Sequence, residues 1–132
     1  MRLDLLLDTH VLIWWLEQSP RLGPETKKTL LSPSARPAVS AASIWEMSVK
    51  AAIGRLHLVD PLETWVPKLR EWGVQELPIS FEHATAVGNL PLYHNDPFDR
   101  MLVAQAQCEG LTIVTADPAI TAYEVRTIDA SK

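Results

Sequence analysis

Four acidic side chains, Asp8, Glu46, Asp99 and Asp117, stand at positions that could form a metal-binding site. Asp8 directly follows a short apolar run, and Asp117 comes shortly after another. Carboxylates held close together repel one another, and their pKa values rise unless a positive charge lies among them. Mg²⁺ and similar cations supply that charge and take oxygen ligands, and once bound they can activate water and orient a phosphodiester. The four acids therefore predict a divalent-metal site suited to phosphodiester chemistry.

Three of these acids also have a purely structural interpretation. Asp8 could cap the helix that follows it, and Asp117 stands before a proline, as in an ordinary Asp-Pro turn. Glu46 is the hardest case, because Ser43 to Glu46 fits a capping box and Lys50 lies four residues further on, in the favourable order for a salt bridge. From this pattern alone, the structural interpretation of Glu46 is favoured.

Asp96 and Asp99 divide two roles between them. Asp96 precedes Pro97 and is placed to be the N-cap of a helix, with Asp99 in its first turn. Since one cap is enough, capping explains Asp96 well and leaves Asp99 available for chemistry.

The elements that must position these acids alternate between strands and helices. Apolar runs predict strands over residues 3–7, 37–40, 74–79 and 112–115, with a possible fifth over 125–128. Helices are predicted over residues 9–18 (capped by Thr9), from 24, over 42–53, from Asp60-Pro61 with a kink or split at Pro67, over 80–89 and over 97–109. This order indicates an α/β fold in which helices cover both faces of a mostly parallel sheet. Such sheets carry their chemistry beyond the carboxyl ends of the strands, where the four acids fall.

The composition sets limits on the class of protein. A chain of 132 residues, 47% apolar and 21% charged, fits one globular domain spanning residues 1–132. No run approaches the roughly 18 apolar residues of a membrane span, Asp4 interrupts the first apolar run, and a cytoplasmic protein is expected. The single cysteine, Cys108, lies in an apolar segment and predicts a buried, inert thiol. The net charge of −4 neither supports nor excludes a nucleic-acid substrate.

Other kinds of site fit less well. The histidines His10, His57, His83 and His94 are scattered, without the spacing of a zinc site. A phospho-signalling receiver needs paired acids after the first strand and a lysine after a late one, but Thr9 follows Asp8, and the late segment reads Thr-Ala-Asp. A phosphatase with an Asp-x-Asp nucleophile fails because His10 occupies the second position.

Several segments together resemble the PIN-domain family, with the closest likeness to the VapC toxins of bacterial type II toxin–antitoxin pairs. They are Leu6 to Trp14 (LLDTHVLIW), Ser40 to Lys50 with its SIWEM core, His94 to Ala106 (HNDPFDRMLVAQA) and Thr115 to Asp117. The likeness covers nearly the whole chain, and its DPFDR segment is specific.

The resemblance implies a PIN-like three-layer α/β sandwich that cleaves RNA with Mg²⁺ or Mn²⁺, forms a homodimer and is inhibited by a cognate VapB-type antitoxin. It identifies Asp8, Glu46, Asp99 and Asp117 with the family's catalytic and metal-binding acids, which moves Glu46 from a cap to a site residue. Asp8 and Asp99 would hold the principal cation, and Glu46 and Asp117 would bind it through waters or hold a second one. Asp96, Arg100, Thr9 and Thr115 are implied to support the ligands or contact the substrate. The alternative is a PIN-like module that binds RNA or antitoxin without cutting.

Two surface questions stay open in the sequence. Trp14 and Trp15 are neighbours on an apolar helix, and they could be buried or could anchor a partner. Lys50, Arg55 and Arg100 could line an RNA groove or could simply be solvated; Arg100 could also pair with a carboxylate.

Overall fold

Five short strands form a single sheet in the computed structural model, which describes residues 3–132. The strands are β1 (Leu3–Leu7), β2 (Ala35–Ser40), β3 (Gln75–Leu77), β4 (Thr112–Thr115) and β5 (Thr127–Asp129). Each neighbouring pair is parallel, and the order across the sheet is β3-β2-β1-β4-β5. The parallel sheet with four or five strands is thereby confirmed. Because β2 and β3 extend it on one side of β1 while β4 and β5 extend it on the other, the strand order reverses between β1 and β4.

Within residues 3–132, seven helices connect and cover the strands. They are α1 (Thr9–Leu16), α2 (Pro24–Leu30), α3 (Ala41–Ala52), α4 (Leu62–Glu71), α5 (Phe81–Val87), α6 (Pro97–Glu109) and α7 (Pro118–Thr121). Side chains of β1 alternate between the two faces of the sheet, as the period of a strand requires. Leu5 and Leu7 pack in a core with residues of α1, α2 and α4, while Leu6 packs in a second core with residues of α6 and α7. The chain is therefore a three-layer sandwich, as predicted.

Some predicted helix starts were wrong by a residue or more. The N-cap of α1 is Asp8 and not Thr9, which is the first residue of the helix. The N-cap of α3 is Ser40, whose hydroxyl accepts a hydrogen bond from the Ala42 N–H at 3.0 Å. Ser43 therefore lies inside α3, and the capping box predicted from Ser43 to Glu46 is not formed. The reason is that β2 runs directly into α3, so the last residue of the strand, Ser40, takes the cap.

Other departures concern prolines. The helix predicted from Asp60-Pro61 begins at Leu62, and its N-cap is Pro61, which offers no side-chain acceptor. Pro67 lies inside α4, and the helix continues through it to Glu71 rather than splitting there. The Asp-Pro sequence at 117–118 starts the short helix α7, which was not predicted.

The single cysteine is exposed, so the predicted buried thiol is wrong. The buried stretch of α6 runs from Leu102 to Ala106, and the last turn, which carries Cys108, is open to solvent. The neighbouring tryptophans Trp14 and Trp15 are half-buried and pack against the core of α1, α2 and α4. Trp15 also stacks at 5.1 Å on Trp72, so burial explains much of this pair. Over residues 3–132, no helix has the length and apolar character needed to cross a membrane.

Candidate metal centre

The four predicted acids converge at one edge of the sheet. Asp8 follows β1 and Asp117 follows β4, the two central strands between which the strand order reverses. Glu46 lies on α3, which contacts both α1 and α6, and Asp99 lies in the first turn of α6. The charges of Glu46 and Asp8 act on Asp99, and the charge of Asp117 acts on Asp8. Residues far apart in the chain therefore share one electrostatic site.

Asp8 is buried and firmly held. Its Oδ1 accepts a hydrogen bond from the Val11 N–H at 2.8 Å, and its Oδ2 accepts one from the Thr115 hydroxyl at 2.5 Å. Burial raises the pKa of the Asp8 carboxyl, and these hydrogen bonds oppose the rise only in part. Thr115 Oγ1 in turn accepts a hydrogen bond from the Asp117 N–H at 3.0 Å, so this threonine links two of the acids.

Replacing Thr115 by valine is expected to weaken the site without removing an acid. The substitution leaves the buried Asp8 Oδ2 and the Asp117 N–H without these partners, which costs about 1–3 kcal/mol of unfolding free energy. Loss of a group that orients a ligand lowers metal affinity by about 10–100-fold. Calorimetric Mn²⁺ titration and urea unfolding would measure both effects. Thr85→Val is the matched control, because the Thr85 hydroxyl is exposed and bonds only the Glu82 carbonyl of its own helix; equal losses in the two variants would contradict the assignment.

Glu46 is buried and has both of its carboxylate oxygens engaged. Oε1 accepts a hydrogen bond from the Thr9 hydroxyl at 2.7 Å, and Oε2 forms a salt bridge with the Lys50 ammonium. The bond with Glu46 raises the pKa of Lys50. The salt bridge suggested by the sequence is therefore present, and Thr9, implied as a supporting residue, holds the other oxygen.

Asp96 and Asp99 have separate roles in the structure. Asp96 is the N-cap of α6, and its Oδ1 accepts hydrogen bonds from the N–H groups of Phe98 at 2.8 Å and Asp99 at 3.1 Å. The Asp99 carboxylate is left to face the site. Burial, followed by the charges of Asp96 and Glu46, raises the pKa of Asp99 to about 7. A carboxyl group whose pKa is raised this far lies at a place where a bound cation would be favoured.

His94 lies in the centre of the site, and the sequence reasoning missed it. Its Nε2 lies 2.9 Å from Asp99 Oδ2 and 3.1 Å from Asp117 Oδ2. Its Nδ1 accepts a hydrogen bond from the Asp96 N–H at 3.3 Å, so in the neutral ring Nε2 carries the proton and donates it to these carboxylates. The signal was the place of His94 at the start of the segment from His94 to Ala106, just before its specific DPFDR sequence, but the histidines were weighed only for zinc spacing.

Arg100 forms hydrogen bonds with the loop before α6. Its guanidinium donates to the Pro91 carbonyl at 2.9 Å and the Val87 carbonyl at 3.0 Å, and to the Tyr123 hydroxyl at 3.2 Å. Within residues 3–132 the structure records no salt bridge of Arg100 with a carboxylate, so the suggested pairing with an acid is not seen. These carbonyls belong to the segment that leads to His94, which gives Arg100 a role in positioning that loop.

The donor set fits a hard divalent cation. One ligand atom from each of His94, Asp99 and Asp117 lies within 4.8 Å of the others, close enough for one ion to bridge them. Carboxylate oxygens dominate the cluster, and this favours Mg²⁺ or Mn²⁺ over metals that require thiolates. Such an ion would offset the repulsion that raises the pKa of Asp99.

Comparison with known proteins identifies the family of the chain. A family model described as the PIN domain matches residues 5–125. Ribonuclease VapC22 of Mycobacterium tuberculosis is 31% identical over 119 residues, which cover 89% of this chain and 90% of that protein.

Solved structures show the same fold. VapBC from Salmonella typhimurium, in a DNA-bound crystal structure, superposes with a TM-score of 0.71 at 18% identity and covers 96% of this chain and 98% of that one. VapBC2 from Rickettsia felis, bound to a DNA fragment from its promoter, gives 0.68 at 15% identity, with 94% and 96% covered.

Proposed function

The chain belongs to the PIN-domain family, and from that premise we propose that it is a metal-dependent endoribonuclease with Asp8, Glu46, Asp99 and Asp117 as its catalytic acids. The observation that carries the proposal is the convergence of these carboxylates at the point where the strand order reverses. The relative named a ribonuclease, matched over most of both chains, supports RNA as the substrate class.

The residues of the site would divide the work as follows. Asp8 and Asp99 would hold the principal Mg²⁺ or Mn²⁺ together with Asp117, whose ligand atom lies within 4.8 Å of that of Asp99. Thr115 keeps Asp8 and Asp117 in place. When bound, the cation supplies Lewis-acid chemistry: it lowers the pKa of a water and stabilises charge on the phosphate. In the hydrolysis, the water gives up a proton as its oxygen forms a new bond to phosphorus, one P–O ester bond breaks, and the departing oxygen takes up a proton. The products are a phosphate monoester and a free hydroxyl.

We further propose that the chain is the toxin of a VapBC-type pair, acts in the cytoplasm as a homodimer and is inhibited by a VapB-type antitoxin. Structures with the same fold are named as VapBC complexes, which supports such a partner. The chain also has an apolar groove of about 460 Å³ between α3 and α4, lined by Ile44, Trp45, Val66 and Leu69 among others. Trp45 is 59% exposed at this groove, as is typical of a surface that a partner covers.

The proposal is tested by incubating the purified, antitoxin-free chain with structured RNAs in Mg²⁺ or Mn²⁺. Cleavage is expected with either cation, and it should disappear in EDTA and in Asp8→Asn. Absence of both cleavage and metal binding would favour the non-catalytic module. Cleavage that survives in Asp8→Asn would contradict the assignment of the site.

A further inference from the structure

We infer that Lys50 is a built-in positive charge of the acidic site, so that the site takes one divalent cation rather than two. The inference rests on the proposed function and concerns the same cluster. It assigns a role to a lysine that the sequence pattern explained only as a helix salt bridge.

Both carboxylate oxygens of Glu46 already have partners. Its side chain is only 3% exposed, and its two oxygens already bond the Thr9 hydroxyl and the Lys50 ammonium. A second divalent ion held by Glu46 would have to displace that ammonium or lie a few ångströms from it, where like charges repel strongly in a partly buried site. The negative charge of Glu46 is therefore compensated mainly by the ammonium of Lys50.

The side of the cluster with Asp99 and Asp117 differs from the side with Glu46 in its paired positive charge. Asp99 and Asp117 share the Nε2 of His94 at 2.9 and 3.1 Å, and one ligand atom from each of these three residues lies within 4.8 Å of the others. Within residues 3–132, neither of these carboxylates forms a salt bridge with a lysine or an arginine. The Glu46 side carries the full charge of a lysine, whose field also reaches Asp96 and Asp99. One external cation fits between Asp99 and Asp117, and Lys50 supplies the positive charge beside Glu46.

The position of Lys50 on α3 suits a charge that belongs to the site. It lies four residues after Glu46 on α3, so both side chains share one face. Exposed pairs of this kind contribute little to stability. Here the acid is buried while the lysine side chain is 37% exposed, so the pair is open to solvent on the lysine side. An ammonium has three donors and Glu46 uses one, which leaves donors for a phosphate oxygen of the substrate.

The test is to count the Mn²⁺ ions bound per chain, by calorimetry and by the electron paramagnetic resonance signal of free Mn²⁺, at pH 7.5 without RNA. The wild type and Lys50→Arg are expected to bind one ion. Lys50→Met is expected to bind a second, because Glu46 is then an uncompensated carboxylate. Lys28→Met is the matched control and should bind one, since Lys28 is exposed on α2, which contributes no residue to the site.

Glu46→Gln gives an independent readout. If Glu46 is paired with Lys50 and binds no ion, this variant keeps one Mn²⁺, whereas a two-ion site that uses Glu46 would fall from two ions to one. Circular dichroism would check that each variant folds. Two ions in the wild type, or a single ion in folded Lys50→Met, would overturn the inference while leaving the ribonuclease proposal intact. Absence of any bound ion in the wild type would overturn both.

Discussion

Asp99→Asn is expected to lower metal-dependent RNA cleavage by about a thousandfold. The cation contributes several kcal/mol of transition-state stabilisation, and each 1.4 kcal/mol lost is a factor of about ten in rate. Asparagine keeps the size of the side chain but removes the negative charge on the cation side of the cluster. Single-turnover cleavage at limiting Mn²⁺ would measure the loss. Asp60→Asn is the control, because Asp60 is exposed and precedes α4, away from the four acids.

The same substitution is expected to stabilise the metal-free chain at neutral pH. The pKa of Asp99 is raised to about 7 in the folded chain, above the ordinary value of 3.8, so the folded state resists ionisation that the unfolded chain accepts. Wild-type stability is therefore lost as pH rises from about 4 through 7, and the asparagine variant escapes that loss because its amide does not ionise. The gain above pH 7 is on the order of 1–2 kcal/mol, less than the pKa shift alone would give, because the amide also weakens the bond with His94.

Urea unfolding in EDTA at pH 4 and pH 8 would test this second effect. Asp99→Asn and wild type should differ in unfolding free energy far more at pH 8 than at pH 4. A variant that loses cleavage and is also less stable at pH 8 would mean that Asp99 supports the fold rather than serving as a strained ligand.

Mn²⁺ is expected to raise the midpoint of thermal unfolding by roughly 10 °C at pH 8. An ion at about 100 times its dissociation constant stabilises the folded state by about 2.7 kcal/mol, and in a chain of this size each kcal/mol corresponds to about 3–5 °C. The shift should be smaller at pH 5, because the raised pKa values of Asp8 and Asp99 keep these ligands protonated more often.

Asp117→Asn should lose most of that thermal shift, whereas the addition of KCl to the same ionic strength should produce little. A shift of equal size in Asp117→Asn would place the ion elsewhere. An equal shift with KCl would attribute it to general screening of the net charge of −4.

The strands and the first and sixth helices could be predicted because their signals are local. Leu3–Leu7 is an apolar run, and α6 carries Asp96 and Pro97 at one end and Gly110 at the other. Gly110 has a φ of 69°, the left-handed conformation that lets a glycine end a helix. Such signals depend on a few neighbouring residues, so they do not depend on how the rest of the chain folds.

The roles of Glu46 and His94 could not be predicted locally. The pattern from Ser43 to Glu46 is a valid capping signal, but Ser40 reaches the cap first because β2 ends there. His94 enters the site because its loop, held by Arg100 and Tyr123, folds back toward Asp117, which is 23 residues away in sequence. The family resemblance places Glu46 among the site acids, and its charge acts on Asp99. The place of His94 beside Asp99 and Asp117 is visible only in the three-dimensional contacts.

The most direct test of the central claim is to map the ends of the RNA products with and without a divalent cation. Water attack at a carboxylate-held cation predicts cleavage only with Mg²⁺ or Mn²⁺, giving a linear phosphate on one side of the cut and a hydroxyl on the other. Cleavage that continues in EDTA and leaves 2′,3′-cyclic phosphates would contradict the account. It would mean that the RNA 2′-hydroxyl is the nucleophile and that a side chain such as His94, acting as acid or base, replaces the metal.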